Sequence, residues 1–170
     1  MPDWDRIFAE NAGGVWRAAY RLLGNTADAD ECMQEAFVDA VRVNGRETVR
    51  DWAALLRRLA TARGLDRLRR RQREKAAVSG EGSWDAMPAA GEHPEAPTQR
   101  EELSICLRRA LVQLPRHQAQ VFCLRHIEDM SYEDIADLMQ VNVNSVGAIL
   151  FRARERLRAL LKDLAVETRK

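Results

Sequence analysis

Residues 131–157 read SYEDIADLMQVNVNSVGAILFRARERL, a pattern of two short helices joined by a tight connection. Ser131 suits the N-cap of the first helix, and Asp134 stands at its capping-box position. Apolar residues recur at helical spacing and define the inward faces: Ile135, Ala136, Leu138, Val146, Leu150, Ala153 and Leu157. Because the small Ala136 lets two helices cross closely, the stretch predicts a helix-turn-helix.

The outer face of the second predicted helix carries side chains that can contact a nucleic acid: Ser145, Phe151, Arg152, Arg154 and Arg156. If the amino-terminal half of this helix lies in a major groove, these side chains reach phosphates and base edges. A helical hairpin with a solvated basic face produces the same pattern. The stretch alone therefore leaves both interpretations open.

Helical spacing of apolar residues continues upstream, on both sides of a Gly- and Pro-rich segment. Before that segment, stripes within residues 8–23, 29–41 and 52–62 predict three helices, with Thr26 as the cap of the second. After it, a stripe from Leu103 to Leu114 is ended by Pro115. Three further helices are predicted at residues 116–126, 132–139 and 145–164.

No stretch alternates apolar and polar residues as a strand would, so the predicted fold class is all-α. Two small helical domains are predicted, at residues 1–75 and 100–170. Residues 76–99 contain three glycines and three prolines with little apolar periodicity, and they predict a flexible acidic linker between the two domains.

Charge is distributed unevenly, although the formal net charge is only +1. Between Arg57 and Lys75, nine Lys and Arg residues accompany only Asp66 and Glu74. Arginines on several faces of one helix are difficult to pair internally, and they attract polyanions such as nucleic acid. A solvated helix end is the alternative interpretation of this block.

A cluster of acidic and amide side chains lies opposite the apolar stripe of the second predicted helix: Asp28, Asp30, Glu31, Gln34, Glu35 and Asp39. A solvated polar face is the ordinary explanation of such a cluster. Because no basic partner lies close in sequence, the cluster also predicts a docking surface for a basic protein. No facing helix supplies the glutamate and histidine that a di-metal site needs, which argues against catalysis.

The cysteines argue against disulfides and against a metal cofactor. Cys32, Cys106 and Cys123 are far apart and lie in apolar helical patterns, as is typical of buried thiols in a reducing cytosol. Cys123 and His126 have the spacing of metal ligands, but no second close pair completes a zinc site, so no cofactor is expected.

The sequence also lacks a Gly-rich phosphate loop and a Gly-x-Ser-x-Gly motif, so no enzymatic activity is expected. It has neither an apolar run long enough to span a membrane nor a signal peptide. We therefore expect a cytoplasmic location without membrane association.

Two sets of residues, taken together, resemble the extracytoplasmic-function (ECF) sigma factors of bacterial RNA polymerase. Residues 28–37, Trp52 with Leu55 and Leu56, and residues 59–71 are similar to region 2 of that family. Residues 110–116, 121–125, 131–136 and 152–157 are similar to region 4. The resemblance implies a two-domain initiation factor that binds core polymerase and directs promoter recognition and melting.

The resemblance also implies roles for individual residues. Docking on the polymerase β′ clamp helices is implied for Asp28, Asp30, Glu31, Gln34 and Glu35. Binding and melting of the −10 element is implied for the loop at residues 44–48 (the −10 loop), with Asn44 and Arg46, and for the basic residues Arg63, Arg67, Arg69, Arg70 and Arg71. Contact with the −35 element, by a region 4 that sits on the β flap, is implied for Ser145, Phe151, Arg152 and Arg154. An anti-sigma factor is a further implied partner.

The chain departs from the family pattern at the helix-turn-helix. Gly147 and Ala148 stand where the family usually has a basic and then a small polar residue, so no base contact is expected from them. Gln140 replaces the usual glycine of the turn, which predicts a backbone that a non-glycine residue adopts. The weakened helix leaves an alternative open, namely a sigma-like protein that occupies polymerase or an anti-sigma factor without initiating transcription.

Overall fold

The computed structural model describes residues 1–46, 48–79 and 98–167, with the side chains of Ser79 and of residues 165–167 left aside. Within these ranges the chain forms seven helices and no strand, which confirms the predicted all-α class. The helices are α1 (Trp4–Leu23), α2 (Thr26–Asn44), α3 (Trp52–Ser79), α4 (Gln99–Leu111), α5 (Arg116–His126), α6 (Tyr132–Met139) and α7 (Val143–Glu167).

The predicted linker, residues 76–99, lies largely outside the described residues, and so does Glu47 of the predicted −10 loop. At its two ends the structure corrects the prediction. Residues 76–79 continue α3, and Gln99 already belongs to α4. The helix α4 begins there because Thr98 and Glu101 form a reciprocal capping box, which satisfies two backbone N–H groups.

Local capping also fixes the first three helices. The helix α1 ends at Gly24, whose φ of 69° lies in the left-handed region that glycine adopts without a steric penalty. The predicted cap Thr26 is wrong: the Asn25 side chain accepts the Asp28 backbone N–H at 3.1 Å, and Thr26 is already helical. Asp51 caps α3 by accepting the Ala54 N–H at 2.9 Å.

The helices α1, α2 and α3 pack on one another as a three-helix bundle. Its core contains leucines from two helices, among them Leu22, Leu23, Leu56, Leu65 and Leu68. Gly64 is buried where α3 approaches α1: a Cβ atom there would lie 2.7 Å from Leu22 Cδ2. The aromatic residues Trp16, Tyr20, Phe37 and Trp52 pack against this core, as their place beside the apolar stripes predicts.

A smaller cluster is built by α5, α6 and α7 of the second half, and Ala54 of α3 also belongs to it. Val121 and Leu124 of α5, Ile135 of α6, and Val146 and Leu150 of α7 are all fully buried there. The helix α4 packs on the long α7.

The two halves are in contact through a shared hydrophobic core, which the sequence analysis did not predict. The larger buried cluster runs from Leu22 and Leu65 of the first half to Leu111, Cys123 and Leu157 of the second. Because these side chains exclude water together, the described parts of the two halves form one packed body.

Four arginines make polar contacts between the halves at the border of that shared core. Arg108 Nε of α4 donates to the Leu22 carbonyl at 2.7 Å, beside Gly24. Arg116 of α5 pairs with Asp66 of α3 at 2.6 Å. The other two contacts are Arg69 Nη2 to the Leu114 carbonyl at 3.3 Å and Arg21 to Glu128 at 3.4 Å.

The cysteines are free thiols in the described structure. Burial raises the pKa of Cys32 to about 12, and its thiol donates to the Ala60 carbonyl at 3.2 Å. Burial likewise raises the pKa of Cys123 to about 12. Both thiols are therefore protonated and unreactive at neutral pH. The expectation of burial is wrong for Cys106, which is half-buried.

Candidate nucleic-acid and partner interfaces

The predicted helix-turn-helix forms from α6 and α7. Ser131 caps α6 by accepting the Asp134 N–H at 3.0 Å, as predicted. The start of α7 differs from the prediction: the helix begins at Val143 because Asn142 accepts the Ser145 N–H at 2.8 Å. Asn142 also accepts the Ser145 hydroxyl at 2.9 Å, so this predicted −35 residue is bound to the cap of its own helix.

The connection between α6 and α7 contradicts the expectation for Gln140. Its φ of 55° and ψ of 45° are left-handed, the conformation that the usual glycine would adopt. The Gln140 N–H donates to the last turn of α6, so the residue ends that helix as glycine does. The chain therefore retains the geometry of the turn in spite of the substitution, at a conformational cost.

The exposed surface of α7 presents some of the predicted −35 residues and not others. Phe151 is 65% exposed, which is unusual for a large apolar side chain. Arg152 is exposed, with its Nε donating to the Ala148 carbonyl at 3.3 Å. Asn144, which the sequence analysis did not select, is exposed on the first turn of the same helix.

Arg154 lies beside the exposed surface of α7 that carries Phe151 and Arg152, and it is half-buried. Its Nη2 lies 3.2 Å from His126 Nε2. Burial lowers the pKa of His126, and the nearby Arg154 and Arg125 lower it further. A neutral imidazole accepts a hydrogen bond from Arg154, so the predicted DNA-binding guanidinium is held against α5.

The predicted acidic docking cluster is on the surface of α2 except for Asp28, which is buried, and the expectation that the cluster has no basic partner is wrong. Arg67 of α3 pairs with Glu31 at 2.5 Å, with Glu35 at 3.1 Å and with Asp28 at 3.4 Å. Arg71 pairs with Asp28 as well. The cluster is therefore partly neutralised from within the same half of the chain.

A second correction follows for the basic block. Arg63 pairs with Asp39 at 2.5 Å, so Arg63, Arg67 and Arg71 pair successively with Asp39, with Glu31 and Glu35, and with Asp28. The three arginines recur every four residues and share one face of α3. The paired carboxylates run in the opposite order along α2, from Asp39 back to Asp28. The four-residue spacing of the arginines, compared with the spacing of these carboxylates, would have predicted the pairing.

The remaining residues predicted for the docking surface and for the −10 element differ in solvent exposure. Asp30 accepts the Trp16 indole N–H at 2.7 Å, and both Asp30 and Gln34 are exposed. Arg46 and Arg70 are exposed and Asn44 is half-buried. Arg69 has a side chain only 15% exposed, pairs with Asp66 at 3.5 Å and contacts the second half of the chain.

A groove separates the segment before α3 from α6. Thr48, Val49 and Arg50 line one wall, and Asp134 and Asp137 line the other. The predicted −10 loop therefore faces carboxylates of the helix-turn-helix in this arrangement. Within the described part of the chain, no group of three or more His, Cys, Asp or Glu side chains is placed to hold a metal ion. None of the described helices is long and apolar enough to cross a membrane.

Comparison with known families agrees with this geometry. The family model described as Sigma-70 region 2 matches residues 7–74, which lie in α1 to α3. The model described as Sigma-70, region 4 matches residues 104–157, which begin in α4 and end in α7. Together the two matches include every described helix at least in part.

Individual relatives extend the likeness to nearly the whole chain. ECF RNA polymerase sigma factor SigE of Mycolicibacterium smegmatis is 33% identical over 99% of this chain, which spans 65% of that relative's length. SigW of Bacillus subtilis is 30% identical over 88% of this chain and 84% of its own length. The RNA polymerase sigma-H factor of Pseudomonas aeruginosa is 32% identical, with 86% and 80% covered.

A solved structure shares the fold at lower identity. The sigma factor RpoE of Bartonella quintana, in complex with the anti-sigma factor NepR, aligns with a TM-score of 0.56 and 21% identity, covering 95% of this chain and 98% of that one. With both family models matched in order and relatives 30% or more identical over most of their length, the chain belongs to the ECF sigma factors of bacterial RNA polymerase.

Proposed function

We propose that this sigma factor binds core polymerase through α2, contacts the −10 element through its first half and contacts the −35 element through α7. As a sigma factor it acts by binding and carries out no reaction of its own. The observation that carries the proposal is the presence of both family regions in order along the chain, region 2 within α1 to α3 and region 4 within α4 to α7.

The polymerase surface proposed here lies on α2, where Asp30, Glu31, Gln34 and Glu35 face the β′ clamp helices and the predicted Asp28 is buried beneath them. Val38 and Val41 are half-exposed apolar residues on the same helix. A carboxylate cluster beside exposed apolar side chains suits a partner surface with basic groups opposite the carboxylates and apolar groups opposite the valines.

Charge reversal on α2 tests the polymerase surface. We expect Asp30→Arg with Glu31→Arg to abolish binding to core polymerase, because both exposed carboxylates of the docking face become cations; the variant also loses the Trp16–Asp30 hydrogen bond and the Glu31–Arg67 ion pair. Helicity by circular dichroism is the control for folding. Binding as tight as that of the unmodified chain, with normal helicity, would exclude this surface.

The −10 element is proposed to contact Asn44, Arg46 and Arg70 first, because these side chains are accessible in the arrangement described. Arg63, Arg67, Arg69 and Arg71 would reach DNA only after leaving their ion pairs or their contact with Leu114. The −35 element is proposed to contact Phe151, Arg152, Arg154 and Ser145, with region 4 seated on the β flap.

Partners and location complete the proposal. The solved relative RpoE binds the anti-sigma factor NepR, and we propose that an anti-sigma factor also regulates this chain. Because polymerase and promoter lie in the bacterial cytoplasm, the proposed location is cytoplasmic, with residues 1–75 as region 2, 76–99 as linker and 100–170 as region 4.

One observation favours the alternative of a sigma-like protein that does not initiate. Gly147 and Ala148 place no polar side chain on the outer surface of α7, so few groups remain to read bases. Run-off transcription with core polymerase and promoters selected from genomic fragments decides between the two. Specific transcripts support the sigma function, and polymerase binding without transcripts supports the alternative.

A further inference from the structure

Arg67 has the least accessible side chain among the paired arginines of α3. It is 6% exposed, and it stands between the fully buried core residues Leu65 and Leu68. A guanidinium is always charged in a protein, and an unpaired buried charge is strongly unfavourable. The position therefore depends on the carboxylates that surround it.

Three carboxylates of α2 converge on this one guanidinium. Its Nη1 lies 2.5 Å from Glu31 Oε2 and 3.4 Å from Asp28 Oδ1, and its Nη2 donates to Glu35 Oε1 at 3.1 Å. The carboxylates are spaced by three and four residues, so they share one face of α2. The planar fork of arginine can hold two of them in fixed directions at once, which a lysine ammonium cannot do.

Two of these carboxylates, Glu31 and Glu35, remain open on their outer sides, whereas Asp28 is buried. Glu31 is 65% exposed and Glu35 is 43% exposed, although both are bound to Arg67. Arg67 lowers the pKa of Glu31 by hydrogen bonding and by its charge, so the carboxylate stays ionised. Without Arg67, three like charges on adjacent turns would repel one another and lose their common orientation.

We infer that Arg67 is a positioning residue for polymerase binding: from inside the protein it fixes the orientation of Glu31 and Glu35 on the docking face of α2, and it does not contact promoter DNA. This inference rests on the proposed function, because it takes the acidic face as the polymerase surface. It reverses the role that the family resemblance implies for Arg67.

A double-mutant cycle on the full-length chain tests the inference. Affinity for core polymerase is measured for the unmodified chain, for Arg67→Met, for Glu31→Gln with Glu35→Gln, and for the triple variant. Without Arg67, Glu31 and Glu35 lose their fixed orientation and contact polymerase less well, so we expect about a tenfold loss for Arg67→Met in the unmodified background. In the Glu31→Gln and Glu35→Gln background the same substitution should cost less than about twofold, because Arg67 acts through those carboxylates.

A second measurement separates positioning from DNA contact. At saturating polymerase, promoter melting by the Arg67→Met holoenzyme should equal that of the unmodified holoenzyme. Arg70→Met is the matched contrast on the same helix, because Arg70 is exposed and its nearest carboxylate, Glu74, lies 3.9 Å away. It should keep the polymerase affinity and reduce melting.

Arg67→Lys is included in case Arg67→Met fails to fold. It keeps the positive charge and loses the planar guanidinium that holds two carboxylates in fixed directions. With normal helicity it should still bind polymerase more weakly than the unmodified chain. Equal polymerase affinity for Arg67→Lys, equal losses in both backgrounds of the cycle, or lost melting at saturating polymerase would each overturn the inference. Unchanged affinity after Glu31→Gln with Glu35→Gln would instead overturn the docking face itself, and the inference with it.

Discussion

Gly64→Ala should destabilise the protein, although alanine is the better helix former. A Cβ atom at position 64 would lie 2.7 Å from Leu22 Cδ2 and 3.5 Å from Leu22 Cγ. The first distance is about 1 Å shorter than a favourable carbon contact. Leu22 is itself buried in the core, so moving its side chain away would disturb the residues packed around it.

The magnitude follows from two opposing contributions. Replacing glycine by alanine inside a helix stabilises by up to about 1 kcal/mol. Forcing a methyl group into a packed helix crossing costs about 1 to 3 kcal/mol. The expected net effect is a loss of about 1 kcal/mol, which lowers the Tm of a domain of this size by about 2 to 4 °C.

Gly147→Ala is the matched control, because its Cβ atom would lie 3.8 Å from Tyr132 Cε2, an ordinary contact. We expect this variant to gain up to about 1 kcal/mol from helix propensity alone. Urea unfolding followed by circular dichroism gives both free energies. If Gly64→Ala stabilised the chain as much as Gly147→Ala does, the close crossing of α1 and α3 would be refuted.

Three further predictions concern the turn at Gln140, the helix α7 and the buried carboxyl group of Glu128. Gln140→Gly should stabilise the chain by up to about 1 kcal/mol, because it relieves a left-handed φ; a loss of stability in urea would contradict the turn geometry. Arg152→Ala should weaken binding by about 1 to 3 kcal/mol and relax preference at one −35 base pair, as measured with holoenzyme on single-base variants; equal losses on every variant would point to a phosphate contact instead. Burial raises the pKa of Glu128, so the folded chain holds that proton more tightly than the unfolded chain, and this stabilisation is complete below the ordinary pKa and is lost as pH rises through the folded value. Glu128→Gln should therefore flatten the pH dependence of the unfolding free energy from about pH 4 upward, and an unchanged dependence would show that Glu128 does not titrate there.

The helix boundaries that the sequence predicts correctly are those set by local signals. The helices α5 and α6 occupy the predicted residues, because Pro115 and Ser131 are effective starts with no competing cap nearby. The helix α7 begins earlier than predicted because Asn142 caps it, whereas the prediction placed the start at Ser145. Both residues favour an N-cap, so composition alone could not choose between them.

The ion pairs of the candidate site depend on tertiary structure, and the sequence analysis missed them. Whether Arg67 meets Glu31 or solvent is decided by how α3 crosses α2, which no local pattern encodes. The periodicity of Arg63, Arg67 and Arg71 still carried part of the answer. That spacing places the three arginines on one face of a helix, and such a face predicts a neighbouring helix that carries carboxylates.

The shared core was hidden for a different reason. Apolar residues such as Leu111 and Leu157 satisfy the pattern of a helix buried within its own half equally well. Periodicity reports that a face is buried, but it does not report which helix covers that face. The contact between the halves therefore required the structure.

The packing of the two halves limits how far apart on DNA two elements can lie if one molecule contacts both. A compact body of about 170 residues has a radius of gyration of about 15 Å, so it measures about 40 Å across. The names of the −10 and −35 elements place them about 25 base pairs apart, which at about 3.4 Å per pair is about 85 Å of duplex. A chain that reads both elements at once must therefore break the contacts of Arg108 with Leu22 and of Arg116 with Asp66. Its apparent affinity for a complete promoter is reduced by the fraction of molecules that remain closed.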